Sequence, residues 1–177
     1  MVILTDISEA SSSSNDQHKM YDVFLSFRGA DTRNNFTNHL HKALEDANLI
    51  TFLDDKNIET GLYLKPELES AIRASRASII VVSKNYASST WCLNELALIL
   101  EQHRDFNHIV IPIFYHVDPS DVRKQQNSFG DAMADHKPKM EAETNAEIKN
   151  EWAQKMEIWK HALTQVANLK GKEPKNM

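Results

Sequence analysis

Four short apolar runs, spaced about thirty residues apart, constrain the fold of this chain more than any other feature. Each run is nearly continuous and rich in β-branched and aromatic residues, a pattern typical of strands buried on both faces of a parallel sheet. The spacing is that of one strand-plus-helix repeat. The runs are Tyr21–Phe27, Ile50–Leu53, Ser78–Val82 and Ile109–Tyr115. Pro112 cannot donate a ladder hydrogen bond, so the fourth strand is expected at an edge or the proline at a bulge.

Helical patterns fill the gaps between the runs. The first pattern places five apolar residues on one helical face: Phe36, Leu40, Ala43, Leu44 and Ala47. A second helix is predicted to begin at Pro66, a third after the cap candidates Ser88, Ser89 and Thr90, and a last one over about 149–169, with a stripe formed by Trp152, Met156, Trp159, Leu163 and Val166. This alternation predicts an α/β fold: a doubly wound, flavodoxin-like parallel sheet of about five strands, flanked by helices, in a single domain. Any fifth strand within 131–148 would be short, because that stretch has no strong apolar run.

The two ends of the chain differ from the part between them. Residues 1–20 include four consecutive serines and are expected to form a disordered leader, and 172–177 a flexible tail or linker, around a domain at 21–171. Cys92 is the single cysteine, which excludes an intramolecular disulfide and favours a reducing compartment. No apolar stretch is long enough to cross a membrane, so we expect a cytoplasmic or nuclear protein without a membrane partner. The formal net charge of −5 argues against a nucleic-acid ligand.

Several common chemistries are excluded by their missing motifs. The chain has four glycines and contains neither GxGxxG nor GxxxxGK[ST], the two glycine-rich phosphate cradles, and no GxSxG nucleophile elbow. His39 and His41 are two residues apart on a helix and therefore point to different faces, so no metal site is expected. In an open α/β sheet the ligand crevice lies outside the carboxyl ends of the strands. Polar residues cluster there, for example in Arg28–Arg33 and Ser83–Tyr86.

A family resemblance emerges at these strand ends. The string YDVFLSFRGADTR (Tyr21–Arg33) closely resembles the opening of plant TIR (Toll/interleukin-1 receptor) domains, and the match continues through AIRASRASIIVVSKNYASSTWCLNEL (Ala71–Leu96) and PIFYHVDPSDVRKQ (Pro112–Gln125). It covers about residues 21–171. The resemblance implies an innate-immune signalling module, as in TIR-type nucleotide-binding leucine-rich-repeat receptors or TIR-only proteins. It also implies an NAD glycohydrolase that is activated by self-association, with NAD as substrate and no cofactor. Its partners would be other TIR domains, in homo- or hetero-oligomers.

The family's functional positions carry over residue by residue. The catalytic glutamate of the WCLxEL motif corresponds to Glu95. The resemblance implies that NAD is bound by Arg28, Gly29, Ala30, Asp31, Thr32, Arg33, Gly61 and Trp91, and that Asn38 and His39 contribute to self-association. The chain departs from the family pattern at Ala30, at the apolar stretch Thr60–Leu64, and at Asn38, where a serine is common. A non-catalytic adaptor that signals only through TIR–TIR contacts is the alternative function.

One carboxylate is enough for the implied reaction. The nicotinamide of NAD is a cationic pyridinium that leaves as a neutral molecule, so no general acid is required, unlike in most glycosidases. A fixed anion would stabilise the positive charge that develops on the ribose. We expect the positive end of its helix to help keep Glu95 ionised. The alternative interpretation is that Glu95 is an ordinary solvated helix glutamate.

Overall fold

The computed structural model describes residues 19–54 and 62–169. Gly61, the expected flexible tail and all of the expected disordered leader except Lys19 and Met20 lie outside the described residues. Among the described residues, no helix is both long and apolar enough to span a lipid bilayer.

The described strands form one parallel sheet with the order β2-β1-β3-β4. The strands are β1 (Tyr21–Ser26), β2 (Thr51–Leu53), β3 (Ser75–Val82) and β4 (Ile109–Phe114). Each overlaps a predicted apolar run, although β3 begins three residues before its run, and the order is that of a flavodoxin-like, doubly wound sheet. Pro112 pairs with Ile80 from β4, an edge strand of the described sheet, as its missing N–H required.

The prediction of about five strands was too high by one for the part of the chain that the structure describes. The stretch 131–148 belongs instead to the helix Ser128–Glu141 and the start of the next helix. Its buried residues recur at helical spacing, as Phe129, Ala132, Met133 and His136. A helix satisfies its own backbone hydrogen bonds, so this segment packs beside the sheet without pairing to it.

Six longer helices flank the sheet in the described residues. They are α1 (Asn38–Asp46), α2 (Pro66–Arg73), α3 (Thr90–Phe106), α4 (Pro119–Lys124), α5 (Ser128–Glu141) and α6 (Ala146–Asn168). The expected start of α2 at Pro66 is confirmed. The start of α3 is fixed by Ser89, whose hydroxyl accepts a hydrogen bond from the Cys92 backbone N–H at 3.2 Å. Asn107, in the left-handed conformation with φ 57°, ends α3.

Apolar side chains cover both faces of the sheet. On one face, Leu40 and Leu44 of α1 pack against Val23, Leu25 and Ile79. On the other face, the alternate residues of β1 and β3 pack against α2, α3, α5 and α6. The predicted stripe of α6 contributes Met156, Trp159, Leu163 and Val166 to this second core, with Trp152 half-buried beside it. The carboxyl ends of the strands lie between the two helical layers.

Candidate active site

The point where the winding of the sheet reverses lies between β1 and β3. The chain leaves β1 toward β2 on one side and leaves β3 toward β4 on the other, and open α/β sheets place their ligand crevice at the carboxyl ends of such central strands. Ser26 is the last residue of β1. Glu95 is the sixth residue of α3, in the first two turns of the helix that follows β3, as the sequence predicted.

Glu95 is almost completely withdrawn from water, with a relative exposure of 2%. The Ser26 hydroxyl is hydrogen-bonded to Oε1 at 2.8 Å, and the Trp91 indole N–H donates a hydrogen bond to Oε2 at 2.9 Å. Trp91 and Glu95 are four residues apart on one face of α3, which places the indole next to the carboxyl group. The interpretation of Glu95 as a solvated helix glutamate is therefore wrong.

Burial determines the charge of this carboxyl group. It raises the pKa of Glu95 to about 8, the Ser26 and Trp91 hydrogen bonds offset part of that rise, and the nearby Asp54 carboxylate adds to it. At neutral pH the group is therefore mostly protonated in this conformation. The positive helix end, predicted to help keep Glu95 ionised, therefore does not suffice in this conformation. A helix end contributes about 1 kcal/mol, whereas withdrawing a carboxylate from water costs several.

A row of buried hydroxyl groups continues from Glu95 into the core. The Ser26 Oγ lies 2.8 Å from the Tyr86 hydroxyl oxygen, which in turn donates to the backbone carbonyl of Cys92 at 3.1 Å. Tyr86 is fully buried, and burial raises the pKa of its phenol well above its ordinary value, so it remains protonated. We refer to Glu95, Ser26, Tyr86 and the Cys92 carbonyl as the hydroxyl row.

Trp91 lies between Glu95 and a cation. Its side chain is 4% exposed, and the Lys65 ammonium lies 5.3 Å from the centre of its ring, at cation–π distance. Lys65 directly precedes α2 and belongs to the segment 62–65. The same segment is attached to α3 through the Asn94 side-chain amide, which donates to the Leu62 carbonyl at 3.1 Å. In this conformation Trp91 holds the carboxyl group and lies beneath Lys65.

Two of the predicted NAD-binding side chains bond within the protein. The Asp31 carboxylate accepts hydrogen bonds from the Ser83 hydroxyl at 2.5 Å and from the backbone and side-chain N–H groups of Asn85 at 3.0 and 3.2 Å. Thr32 is buried, and its hydroxyl lies 2.6 Å from that of Thr37. Both therefore fix the short helical segment Gly29–Thr32 and the π-helical turn Arg33–Thr37 at the end of β1.

The two arginines of the same stretch differ in their partners. Arg33 donates to the Asp54 carbonyl at 3.3 Å and lies 5.0 Å from the centre of the Phe27 ring. Arg28 is half-buried, and its Nε is buried without a hydrogen-bond partner among the described residues. Gly29 and Ala30 follow in the first turn of the short helix, where Ala30 is exposed. The edge of the crevice thus carries an unused guanidinium donor.

The remaining predicted positions lie away from the crevice or outside the described residues. Asn38 and His39 are exposed at the start of α1. Gly61 falls in the stretch that the structure does not describe. Within 19–54 and 62–169, no cluster of three or more histidine, cysteine or acidic side chains is arranged to hold a metal ion.

Sequence reasoning missed the side chains that contact Glu95 from other parts of the chain. Ser26 and Tyr86 were each interpreted only as part of a strand end. One local signal for Ser26 was available: it is a polar side chain at the end of an apolar strand, where the crevice begins. The contact of Ser26 with Glu95 joins residues 69 positions apart, which no local pattern reveals.

Comparisons with known proteins point in one direction. A family model described as TIR domain matches residues 20–177. Disease resistance protein RPV1 of Vitis rotundifolia is 49% identical over 93% of this chain, and TMV resistance protein N of Nicotiana glutinosa is 47% identical over 90% of it. The chain covers only 11% and 13% of those two proteins. The TIR domains in the structure of the activated Roq1 resistosome recognising the effector XopQ match with a TM-score of 0.74 and 46% identity, over 89% of each chain.

Proposed function

The chain belongs to the TIR domain family, and we propose that it is a plant immune-signalling module that self-associates and hydrolyses NAD to nicotinamide and ADP-ribose-type products. Its plant relatives are named as disease resistance proteins, which supports the immune role. The proposal assigns NAD as substrate, no cofactor, and a cytoplasmic or nuclear location. The single observation that carries the activity is the position of the Glu95 carboxyl group at the crevice between β1 and β3.

The chemistry of NAD matches one carboxyl group in that position. The bond between the ribose carbon and the pyridinium nitrogen breaks, its electron pair leaves with neutral nicotinamide, and positive charge develops on the ribose. An ionised Glu95 stabilises that charge more than it stabilises the ground state, which is the requirement for catalysis. Water then forms the new bond to the ribose carbon and gives up its proton.

The described conformation is a resting one under this proposal. Glu95 is buried and mostly protonated, so NAD must enter beside it and the carboxyl group must lose its proton before it acts. The side chains above it are Trp91 and Lys65. Displacement of the segment 62–65, to which Lys65 belongs, uncovers Trp91 and supplies the opening step.

Arg28 is the residue that we assign to the substrate's phosphates. NAD carries a diphosphate, and guanidinium groups bind phosphate oxygens through paired N–H donors. The Arg28 Nε donor is unused among the described residues and lies two positions beyond Ser26. Asp31 and Thr32 hold the backbone of this stretch, so their part in binding is indirect.

Self-association is the second half of the proposal. Asn38 and His39 are exposed on α1 and accessible to another copy. In the matching Roq1 structure, TIR domains form part of an activated resistosome. Association of neighbouring subunits would supply the free energy for moving the segment 62–65, so activity would depend on protein concentration.

A non-catalytic adaptor is the second candidate, and one observation favours it. Glu95 is buried, and both of its oxygens accept hydrogen bonds, which is also the environment of a purely structural carboxyl group. An adaptor would tolerate Glu95→Gln and would lose signalling on substitution of Asn38 or His39.

Release of nicotinamide from NAD separates the two candidates. We expect wild-type activity to rise faster than linearly with protein concentration. Glu95→Ala and Glu95→Gln should each lower it by about a hundredfold or more, the usual loss when transition-state charge stabilisation is removed. Glu101→Gln, an exposed glutamate on the same helix, is the matched control and should leave the rate unchanged. Wild-type protein that releases no nicotinamide even when tethered into oligomers, or full activity in Glu95→Gln, would establish the adaptor.

A further inference from the structure

The hydroxyl row contains more contacts than it has hydrogens when Glu95 is ionised. It has three links: Glu95 Oε1 to Ser26 Oγ at 2.8 Å, Ser26 Oγ to Tyr86 Oη at 2.8 Å, and Tyr86 Oη to the Cys92 carbonyl at 3.1 Å. The carbonyl and the carboxylate are acceptors only, so the two hydroxyl groups supply two hydrogens for three links. One link then lacks a hydrogen.

Protonation of Glu95 completes the row. The carboxyl O–H donates to Ser26, Ser26 donates to Tyr86, and Tyr86 donates to the Cys92 carbonyl, so each link has one hydrogen. In the ionised form Ser26 turns to donate to Glu95, Tyr86 turns to donate to Ser26, and the Cys92 carbonyl loses this donor. The same groups therefore support both charge states, with opposite directions of donation.

We propose that Ser26 and Tyr86 are positioning residues whose hydroxyl groups reverse together to set whether Glu95 carries a proton. Tyr86 favours the protonated form, because only that form uses all three links. Ser26 favours the ionised form, because its O–H is a charge-assisted donor to the carboxylate, and such bonds are about twice as strong as neutral ones. The inference rests on the proposed function for its catalytic meaning, although its first test requires no catalysis.

The other groups around Glu95 affect its charge without reversing a hydrogen bond. The Trp91 N–H donates to Oε2 in either charge state, and the Asp54 carboxylate disfavours the ionised form. The Lys65 ammonium lies 5.3 Å from the centre of the Trp91 ring. Within the row, the Ser26 and Tyr86 hydroxyls can each act as donor and as acceptor.

The test is a direct titration of the Glu95 carboxyl carbon by ¹³C NMR in the wild-type protein, Tyr86→Phe and Ser26→Ala. Tyr86→Phe removes the acceptor that completes the protonated row, so the midpoint should fall. Ser26→Ala removes the donor to the carboxylate, so the midpoint should rise. We expect each change to be about tenfold in proton affinity, the usual size of one hydrogen bond. Ser26→Cys, which keeps a weak donor at the same place, should give a smaller rise than Ser26→Ala.

The matched control is Ser78→Ala. Ser78 is also a buried serine of a central strand, but its hydroxyl contacts His108 at 2.7 Å and not Glu95. Shifts of Tyr86→Phe and Ser26→Ala in the same direction, or shifts no larger than that of Ser78→Ala, would overturn the inference.

Catalysis gives the second readout. The acid limb of nicotinamide release should move to lower pH in Tyr86→Phe and to higher pH in Ser26→Ala, a displacement that a merely structural loss would not produce. Unmoved limbs in both variants would contradict the inference. If the protein releases no nicotinamide, the proposed function is contradicted but this inference is not. The carboxyl titration still tests whether Ser26 and Tyr86 shift the proton affinity of Glu95 in opposite directions.

Discussion

Two buried ionisable side chains, one near the carboxyl ends and one near the amino ends of the strands, show how a candidate active site differs from a structural contact. Glu95 contacts Ser26 at the carboxyl end of β1, whereas His108, directly before β4, contacts Ser78 of β3. Burial raises the pKa of Glu95 to about 8, and burial, together with electrostatic interaction with Lys19 and His103, lowers the pKa of His108 to about 4. Both groups are therefore predominantly neutral at pH 7 for the same physical reason.

The two regions differ in what surrounds the neutral group. The His108 ring contacts the Ser78 hydroxyl and the Ser75 backbone, and the His108 backbone carbonyl lies 2.8 Å from His103 Nδ1. Glu95 lies at the crevice, holds two hydrogen bonds through its oxygens, and joins a row that supports either charge state. A shifted pKa alone therefore does not mark a site. A site is marked by a shifted pKa in a group that lies at the carboxyl ends of the strands and has hydrogen-bond partners able to stabilise its charged form.

The largest expected effect is on the alkaline stability of the fold. Glu95 has a pKa of about 8 in the folded protein and 4.5 when exposed, so the folded state binds the extra proton between these values. Stability from this group is fully present below pH 4.5 and is lost as pH rises toward 8 and above. Glu95→Gln keeps a neutral group of the same shape, so at pH 9 it should be more stable than the wild-type protein by about 3 to 5 kcal/mol.

Denaturant unfolding at pH 5 and pH 9 measures this difference. The two proteins should be nearly equal in unfolding free energy at pH 5 and should diverge as pH rises. Equal unfolding free energies of the wild-type protein and Glu95→Gln at pH 9 would mean that Glu95 ionises in the folded protein without cost. The comparison of Glu95 with His108 would then no longer hold.

His108 should lower the stability of the fold at acidic pH, with a smaller effect than that of Glu95 at alkaline pH. Its pKa is about 4 in the folded protein and 6.5 when exposed, so the unfolded chain binds the extra proton between these values. Stability from this group is present above pH 6.5 and is lost as pH falls toward 4. His108→Gln should remove about 2 to 3 kcal/mol of the wild-type protein's acid sensitivity.

Thermal or urea unfolding between pH 7 and pH 4 checks the His108 prediction, with the solvent-exposed His161 as the matched position for a His→Gln control. The same variant should leave nicotinamide release unchanged at pH 7.5. A loss of activity in His108→Gln without a loss of folded protein would break the comparison, because it would place His108 in the site.

The sequence predicted the strands well because their signal is local. β1 to β4 are continuous apolar runs, and a strand buried on both faces requires such a run. The start of α3 was predictable for the same reason, since Ser89 caps its first turn. The helix α5 was missed, although Phe129, Ala132, Met133 and His136 have helical spacing, because the stretch contains no strong apolar run.

The candidate site was predictable in its place but not in its chemistry. The family resemblance located Glu95, and the rule for α/β sheets located the crevice. The protonated state of Glu95 was not foreseen, because burial depends on side chains that arrive from distant segments, such as Ser26 and Tyr86. Asp31 and Thr32 were assigned to NAD from their position in a motif. Their internal hydrogen bonds depend on Ser83, Asn85 and Thr37, which only the folded chain brings together.

The central claim is that a buried, mostly protonated Glu95 must ionise to cleave NAD, and the pH dependence of kcat/KM tests it most directly. This quantity reports the ionisation of the free enzyme. Measured for nicotinamide release between pH 6 and 9.5, with Glu95→Ala as the blank for chemical breakdown of NAD, it should rise about tenfold per pH unit and level off near pH 8. A rate that is flat or falling between pH 6 and 8 would contradict the account, because the carboxylate would then be either already ionised or not required.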